Sequence, residues 1–391
     1  MTPQPPLHVA VIGAGILGTS TAAHLARTGA RVTLVTSGKP GDGASGRSIA
    51  WLNSSGARST EYRYLRLIGI DRYRTWKEQH PESSSYLRFD GALKWGADDE
   101  SFRDTFAYER AGGYDSVWVE PTRIAEFAPD VDADAVAAEG AIFNPGEGWV
   151  NLPDLIAALL AEAVASGVEV IEDAGDVRVD VRGDAVVGVV LGDGTALAAD
   201  RVVLATGGQV PAQLAALGVT VPDATPAAFV VMTEPVEPRV RTVLNTPRVA
   251  VRPMPDGRLV LDADWAEKSI EFGADGSLTV PDASVQGLLE EGARVLAGNP
   301  RLTVQRVAAG LKPIPGDGEP VVGAVSAISG LYTLFTHSGA TLGLILGELL
   351  AEEIVTGRPS PVLDAFRLDR FDADVELGEV GIGAWAPVTQ Q

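Results

Sequence analysis

The sequence contains no cysteine and very little histidine. Its 391 residues include no Cys and four His. Without cysteine the chain has no disulfide, no thiolate metal ligand, no cysteine nucleophile and no cofactor attached through a cysteine sulfur. The four histidines are scattered and show none of the paired spacings of a metal site, so we predict no bound metal.

Positive charge is also scarce. Lysine and arginine together number 31 against 52 acidic residues, which gives a formal net charge of −21. Nucleic acids and anionic membrane surfaces are bound through clustered Lys and Arg, so this balance argues against both as partners. Composition gives no indication of an oligomeric state.

No hydrophobic run is long enough to cross a bilayer. The most apolar stretch, residues 339–355, contains Glu348, Glu352 and Glu353 and is too short and too charged to span one. Residues 1–15 have neither the charged start nor the cleavage site of a signal peptide. We therefore expect a cytoplasmic protein, and the length allows two domains or one composite domain.

What the sequence does contain is a glycine motif in a meaningful context. Residues 7–36 have the pattern of a strand, a glycine turn, a helix and a second strand. Gly13 permits a tight turn, Gly15 lets a pyrophosphate approach the backbone, and Gly18 allows the helix to pack on the strand. The start of that helix, at Ile16 and Leu17, would face the phosphates. The pattern predicts dinucleotide binding rather than an ordinary turn with incidental glycines.

The end of the second strand departs from the usual pattern. Such strands normally end in Asp or Glu, which binds a ribose hydroxyl, but here Thr36 and Ser37 are followed by Lys39. Two hydroxyls and a cation suit the 2′-phosphate of NADP. They also suit FAD held at the ribose by Thr36 or Ser37, and a polar turn without a ligand would look the same.

Three features elsewhere favour FAD. The chain has no second dinucleotide fingerprint, and an NADP dehydrogenase would need its own catalytic domain. The strand "RVVLATGG", with Gly207 in its turn, has the ending that flavoproteins use to close the adenine side of the site. The segment "THSGATLG" lies at a junction from strand to helix near the C-terminus.

The coarse pattern of elements indicates a composite fold. We predict helices at 60–80, 151–167 and 341–356, and antiparallel strands over 225–280. The expected fold class is α/β (an α+β composite), with a Rossmann-like FAD-binding domain interrupted by a substrate domain built on an antiparallel sheet. The predicted FAD-binding domain comprises 1–85, 150–222 and 305–391, and the predicted substrate-binding domain comprises 86–149 and 223–304.

The order of these motifs resembles a known family, the superfamily of FAD-dependent D-amino-acid oxidases, glycine oxidases and sarcosine oxidases. The resemblance runs from "VAVIGAGILGTSTAAHLARTGARVTLV" through "GASGRSIAWLN", "NPGEGWVNLPDLIAAL" and "GLKPIPGDGEPVVG" to "GLYTLFTHSGATLG". It implies an FAD-dependent enzyme that oxidises the C–N bond of a small amine or amino acid to an imine by hydride transfer to flavin N5. Thr36 departs from the acid of that family.

Two other functions remain open at this point. One is an NADP-dependent oxidoreductase that uses Thr36, Ser37 and Lys39 for the 2′-phosphate. The other is a flavoprotein of tRNA modification, as some relatives of the family are, although the charge of −21 disfavours it.

The resemblance also implies which residues contact the cofactor. The loop "GASGRS" would lie under the pyrophosphate and beside the isoalloxazine, and it contains neither His nor Cys, so we expect a noncovalent flavin. The backbone of Val177 would meet the adenine. A helix start near the flavin would stabilise negative charge at its N1–C2=O edge. The implied contacts in these two segments are Ser45, Arg47, Ser48, Gly339, Ala340, Thr341 and Leu342.

The resemblance says less about which residues contact the substrate. Lys312 stands where glycine-oxidase-like members have an arginine for the substrate carboxylate, and it serves either that carboxylate or the flavin. Arg252, on the strand expected to roof the active site, is a second candidate for anion binding. His337 is a third candidate site residue, or a packed residue that shapes its turn. Asp262 and Asp264 either favour a cationic amine or face solvent.

Overall fold

The structure is a computed structural model that describes residues 6–97, 99–237 and 240–371. The ends of the predicted FAD-binding domain, 1–5 and 372–391, lie outside the described residues. The strands, numbered along the chain, are β1 (His8–Ile12), β2 (Arg31–Val35), β3 (Trp51–Leu52), β4 (Leu87–Arg88), β5 (Ala92–Lys94), β6 (Val117–Val119), β7 (Ala141–Asn144), β8 (Gly148–Val150), β9 (Glu169–Ile171), β10 (Arg178–Arg182), β11 (Ala185–Val190), β12 (Ala196–Ala198), β13 (Arg201–Leu204), β14 (Ala227–Thr233), β15 (Val243–Asn245), β16 (Ala250–Pro253), β17 (Leu259–Asp262), β18 (Glu271–Phe272), β19 (Leu278–Thr279), β20 (Val304–Leu311), β21 (Val321–Ala324) and β22 (Leu331–Phe335). The helices are α1 (Ile16–Arg27), α2 (Thr60–Gln79), α3 (Arg103–Ala111), α4 (Ile124–Phe127), α5 (Leu152–Ala165), α6 (Val210–Ala215), α7 (Asp264–Glu267), α8 (Asp282–Arg294) and α9 (Gly339–Thr356).

The first sheet has six strands in the order β21-β22-β13-β1-β2-β9, all parallel except β21. Successive residues of a strand point to opposite faces. Val9 and Val11 of β1 therefore pack with α1, α5 and α9, while Ala10 and Ile12 pack on the side of α6 and the small sheet β10-β11-β12. The predicted strand, helix and strand over 7–36 are confirmed by β1, α1 and β2.

The second sheet has eight strands in the order β20-β14-β17-β16-β15-β5-β7-β6, antiparallel except between β15 and β5. Its β16–β17 hairpin turns through Gly257, whose φ is +91°. One face packs on α8 through Leu259 and Leu261 of β17, and the other face is lined by Val230 and Val260. The expected composite α/β fold class is confirmed.

Two elements differ from the expectation. The predicted boundary at residue 305 assigned β20 to the FAD-binding domain, but β20 pairs with β14 and forms the edge of the second sheet. A boundary after residue 311 fits this pairing better. Residues 264–267, inside the region predicted as antiparallel strands, form the short helix α7 directly after β17.

The helices α5 and α9 begin close to the residues predicted from the sequence. Asn151 precedes α5 as predicted, but its side-chain amide donates to Asp154 Oδ2 at 2.6 Å instead of capping a backbone amide. α9 begins at Gly339, two residues earlier than predicted. Its Gly343 and Gly347 lie against Ile16 and Ser20 of α1. Among the described helices, none has the length and apolar character that a bilayer crossing needs.

Candidate functional site

The glycine turn between β1 and α1 has the shape of an anion site. A Cβ on Gly13, whose φ is +104°, would lie 2.5 Å from Ala205 O, and one on Gly18 would lie 1.8 Å from Gly13 O. A Cβ on Gly15 would meet only Ser45 Oγ, at 3.2 Å, so the space above Gly15 is open. The first turn of α1 contains no acidic residue. This helix start can therefore accept a pyrophosphate.

Ser45 joins this turn to the next part of the site. Its Oγ accepts a hydrogen bond from the backbone N–H of Ile16 at 3.1 Å. The structure therefore brings the predicted loop residue Ser45 against the glycine turn. Ile16 and Leu17 are buried, so only their backbone faces the open side.

The surroundings of Lys39, after the end of β2, bear on whether the site binds NADP or FAD. Lys39 Nζ lies 2.6 Å from Asp173 Oδ2 and 3.0 Å from Glu172 Oε2, at the surface. Two carboxylates around the lysine would repel a 2′-phosphate, which does not support NADP. Thr36 is buried and Ser37 is exposed, and the backbone of Thr36 bonds to Ile171 and Ala174.

The predicted adenine side is bridged by a residue that the sequence did not single out. Gln213 Nε2 donates to Val177 O at 3.3 Å, and Thr206 Oγ1 donates to Gln213 Oε1 at 2.6 Å. Gln213 thus ties Val177 to the turn after β13 that contains Gly207, whose φ is +60°. The candidate residues Val177 and Gly207 are held in one local unit.

A cavity of about 820 Å³ lies between the two sheets. It brings together the predicted residues Arg47, Ser48, Lys312, His337 and Thr341, with Ala340 beside them. Its walls come from segments within 44–66, 228–230, 245–250, 262–268, 310–319 and 337–341.

Arg47 lies at the rim of this cavity. A Cβ on Gly310 of β20 would be 2.4 Å from Arg47 Nη1, so the guanidinium packs directly on that strand. Arg47 also lines a second groove beside β20. The arginine is therefore shared by the cavity and this groove.

The start of α9 forms one wall of the cavity. Thr341 Oγ1 donates to Trp51 O at 3.2 Å, and the backbone N–H of Asn53 approaches Thr341 Oγ1 at 3.4 Å. The positive end of the α9 helix dipole therefore lies at the cavity. Leu342 is fully buried and contributes only its backbone to this turn. Gly343 faces α1 rather than the cavity, since a Cβ on it would lie 2.4 Å from Ile16 Cγ1.

A buried network that the sequence reasoning missed supports this helix start. Tyr62 Oη donates to Ser338 Oγ at 2.5 Å, and Arg66 Nη1 donates to the same oxygen at 2.6 Å. Arg66 also donates to Asn53 through Nε at 2.8 Å and Nη2 at 2.6 Å. Tyr62 and Arg66 are one turn apart on α2, and that spacing was the available signal.

Lys312 is ion-paired. Its Nζ lies 2.6 Å from both carboxylate oxygens of Glu267 on α7. Burial raises the pKa of Glu267 to about 7 and that of Asp262 to about 6, although Lys312 opposes both shifts. Burial lowers the pKa of Lys312, but Asp262 and Glu267 outweigh it and the net shift is upward. The lysine is therefore a charged member of an acidic cluster.

His337 lines the cavity, and its side chain is accessible to water there. Its enclosure by the cavity walls, followed by the charges of Lys312, Arg58 and Arg66, lowers the pKa of His337 below its ordinary value. The imidazole is neutral at neutral pH, so it adds no charge to the site. It also makes a weak base.

Arg252 does not reach the cavity. Among the described residues that line it, Ala250 of β16 is included and Arg252 is not. Arg252 is 3% exposed, lies 5.6 Å from the ring of Trp149, and its Nε and Nη1 have no partner in the described part of the chain. Arg252 lies two residues along β16 from Ala250, on the same face of the sheet, but the structure does not bring it together with the residues that line the cavity. That Arg252 binds a substrate anion stays a prediction.

Trp51, which lines the cavity, is anchored from behind by buried polar groups. Its Nε1 donates to Glu147 Oε2 at 2.8 Å, and Tyr114 Oη donates to Glu147 Oε1 at 2.6 Å. Lys94 pairs with Glu109 in the same region. Burial raises the pKa of Glu147 to about 7, with Lys94 opposing the shift.

Comparisons with known proteins show what the whole chain is similar to. The profile of the family described as FAD dependent oxidoreductase (DAO) matches residues 8–353. The chain is 26% identical to a glycine oxidase of Geobacillus kaustophilus, over 96% of this chain and 98% of that protein. It is 25% identical to a D-proline dehydrogenase of Pyrobaculum islandicum, over 93% and 99%. The crystal structure of the Geobacillus kaustophilus glycine oxidase superposes with a TM-score of 0.78 at 25% identity, covering 93% of this chain and 98% of that one.

Proposed function

The chain belongs to the family of FAD dependent oxidoreductases, and from that premise we propose that it oxidises the C–N bond of an amine or amino acid to an imine. FAD, when bound, supplies the acceptor for the hydride that leaves the carbon bearing nitrogen. The imine then hydrolyses in water. The relatives named glycine oxidase and D-proline dehydrogenase support this class of substrate.

The residues present fit the cofactor. The open turn over Gly15 suits the pyrophosphate, and the segment around Val177 and Gly207 suits the adenosine, with Thr36 or Ser37 at the ribose. Ser48 and the start of α9, from Gly339 to Leu342, would lie at the isoalloxazine. We infer that the flavin is noncovalent, because the chain has no cysteine and the loop 43–48 has no histidine.

One observation carries the proposal. A single cavity joins the loop after Ser45, the positive end of α9 and the buried charges at the ends of β17 and β20. The cofactor and a small substrate can therefore meet in one space. Positioning of the two in this space supplies the catalysis, and no nucleophilic side chain is required.

The function is tested with the purified protein under anaerobic conditions. We expect one or more members of a panel of amino acids and amines to bleach the oxidised flavin band, and matched hydroxy acids to leave it unchanged. Admission of air then separates oxidase from dehydrogenase by the rate of reoxidation. Reduction by hydroxy acids alone would refute the proposal. Acid denaturation should release the flavin into the supernatant, and flavin retained in the pellet would show a covalent link.

A further inference from the structure

The cavity contains a cation, Arg58, that forms no ion pair with a carboxylate in the part of the chain that the structure describes. Arg58 lies in the loop between β3 and α2 and lines the cavity. Its Nε is buried and has no hydrogen-bond partner among residues 6–97, 99–237 and 240–371. Glu319 and Glu147 act on it only by longer-range attraction.

The neighbours of Arg58 increase this imbalance. The ring of Tyr62 lies 5.4 Å from the guanidinium carbons of both Arg58 and Arg66. Arg66 has its hydrogen bonds to Asn53 and Ser338, whereas Arg58 has no comparable set. Burial and then the charge of Arg66 lower the pKa of Arg58 to about 10, so Arg58 is still protonated at neutral pH. A buried cation without an anion is costly, and an anionic ligand would remove that cost.

Lys312, the expected anchor for a carboxylate, is in the opposite situation. It already contacts both oxygens of Glu267, and Asp262 lies close enough to raise its pKa. A substrate carboxylate arriving there would meet two carboxylates around one ammonium. This wall therefore repels an anion, and Arg58 attracts one.

We propose that Arg58 binds the carboxylate of the substrate, and that the cluster of Lys312, Glu267 and Asp262 forms an acidic wall that does not. The planar guanidinium can hold a carboxylate through two parallel hydrogen bonds, which an ammonium cannot do. The substrate class is then an amino acid rather than a simple amine. That the bound carboxylate belongs to the substrate rests on the proposed function. That Arg58 binds an anion does not depend on it.

The test uses the holoenzyme and a pair of matched probes, benzoate and its neutral isostere benzamide. Binding is followed through the perturbation of the flavin absorbance. We expect Arg58→Gln to raise the Kd of benzoate by roughly ten- to a hundredfold, the range of a lost charge-assisted hydrogen bond. The Kd of benzamide should change by less than about twofold, because only the charge-assisted contact is lost. Arg58→Lys should fall between wild type and Arg58→Gln for benzoate.

The double variant Lys312→Met/Glu267→Gln, which removes both charges of the ion pair together, is the comparison. We expect it to leave the Kd of benzoate within about threefold of wild type, since the net charge of this wall does not change. A loss for benzoate in the double variant with none in Arg58→Gln would overturn the assignment. So would an altered flavin spectrum in Arg58→Gln with unchanged benzoate binding, because Arg58 would then serve the flavin.

The two proposals fail in different ways. If simple amines reduce the flavin and no carboxylate binds the wild-type enzyme, the assignment of Arg58 falls and the proposed function stands. If benzoate binding depends on Arg58 but no amine or amino acid reduces the flavin, the proposed function falls and the anion site stands. Flavin content and circular dichroism of Arg58→Gln and Arg58→Lys confirm that the variants fold.

Discussion

Gly15 is the residue at which one side chain decides whether the cofactor can bind. We expect Gly15→Asp to lower FAD affinity by at least about a hundredfold, since unit charges about 4 Å apart near a protein surface repel by about 4 kcal/mol. The new carboxylate would also occupy the amides at the start of α1 that the pyrophosphate needs. Aspartate is a favourable residue before a helix, so the apoprotein should be no less stable than wild-type apoprotein.

The neutral isostere Gly15→Asn separates charge from size. It should retain at least about tenfold more affinity than Gly15→Asp when FAD is titrated into apoprotein and flavin fluorescence is followed, because it lacks the repulsion. Equal losses in both variants would mean that repulsion of the pyrophosphate is not the cause. Normal flavin content in Gly15→Asp would refute the assignment of this turn.

Glu147 is a buried acid whose raised pKa should make the stability of the protein depend on pH. Its pKa is raised to about 7 in the folded state from an ordinary value of 4.5, so the folded protein binds the proton more strongly than the unfolded chain does. Stability from this group is therefore complete below about pH 4.5 and is lost as the pH rises towards 7. The total is on the order of 3 kcal/mol.

Glu147→Gln tests this expectation. Urea unfolding of the holoenzyme at several pH values between about 5 and 8 should show a flatter decline of the free energy of unfolding in the variant than in wild type. Glu267 contributes a slope of the same sign, so the decline should not vanish. The surface variant Glu290→Gln serves as the control and should keep the wild-type slope. An unchanged slope in Glu147→Gln would contradict the assignment.

At the scale of elements, the packing of α9 on α1 fixes one wall of the cavity. A Cβ on Gly347 would lie 2.2 Å from Ser20 Oγ and 2.7 Å from the backbone carbon of Ser20. Ser20 is fully buried, so α1 and α9 would have to move apart to make room for a methyl group on residue 347. We expect Gly347→Ala to destabilise the protein by about 1–3 kcal/mol, although alanine at an exposed helical position would stabilise it by about 1 kcal/mol relative to glycine.

The same substitution should weaken FAD binding, because a displaced α9 moves the turn at Gly339 and Thr341. Glu352→Ala, on the exposed side of α9, is the control and should change stability by less than about 0.5 kcal/mol. Chemical denaturation of both variants measures the first effect, and FAD titration of the apoproteins measures the second. A Gly347→Ala variant as stable as wild type would show that the two helices can separate without cost.

Local elements could be predicted from the sequence because their signals are local. The apolar runs around Gly13 specify β1, α1 and β2 through neighbouring residues alone. The surroundings of Lys312 could not be predicted in this way, because its partner Glu267 lies 45 residues away on a helix that reads as strand. Arg58 gave no signal for the same reason: whether a carboxylate pairs with it depends on what the fold brings near it.

At the scale of the whole molecule, the residues of the candidate site come from widely separated parts of the sequence. Its cavity takes walls from six separate segments, and both large sheets contribute to it. The motif order that resembles the family therefore indicates the fold and the cofactor better than it indicates the substrate. Family likeness alone suggested Lys312 for the carboxylate, whereas the assembled charges favour Arg58.

The strand order of the first sheet also bears on how the chain is made. β1 emerges first from the ribosome, but its neighbour β13 pairs on its other side with β22, which ends at Phe335. α9 emerges later still. Pairings between such distant residues form slowly, and the waiting strand edges are open to other nascent chains. Because the start of α9 forms a wall of the candidate site, a nascent chain that ends before Thr341 lacks part of that site, and flavin can find the complete site only after α9 has been synthesised.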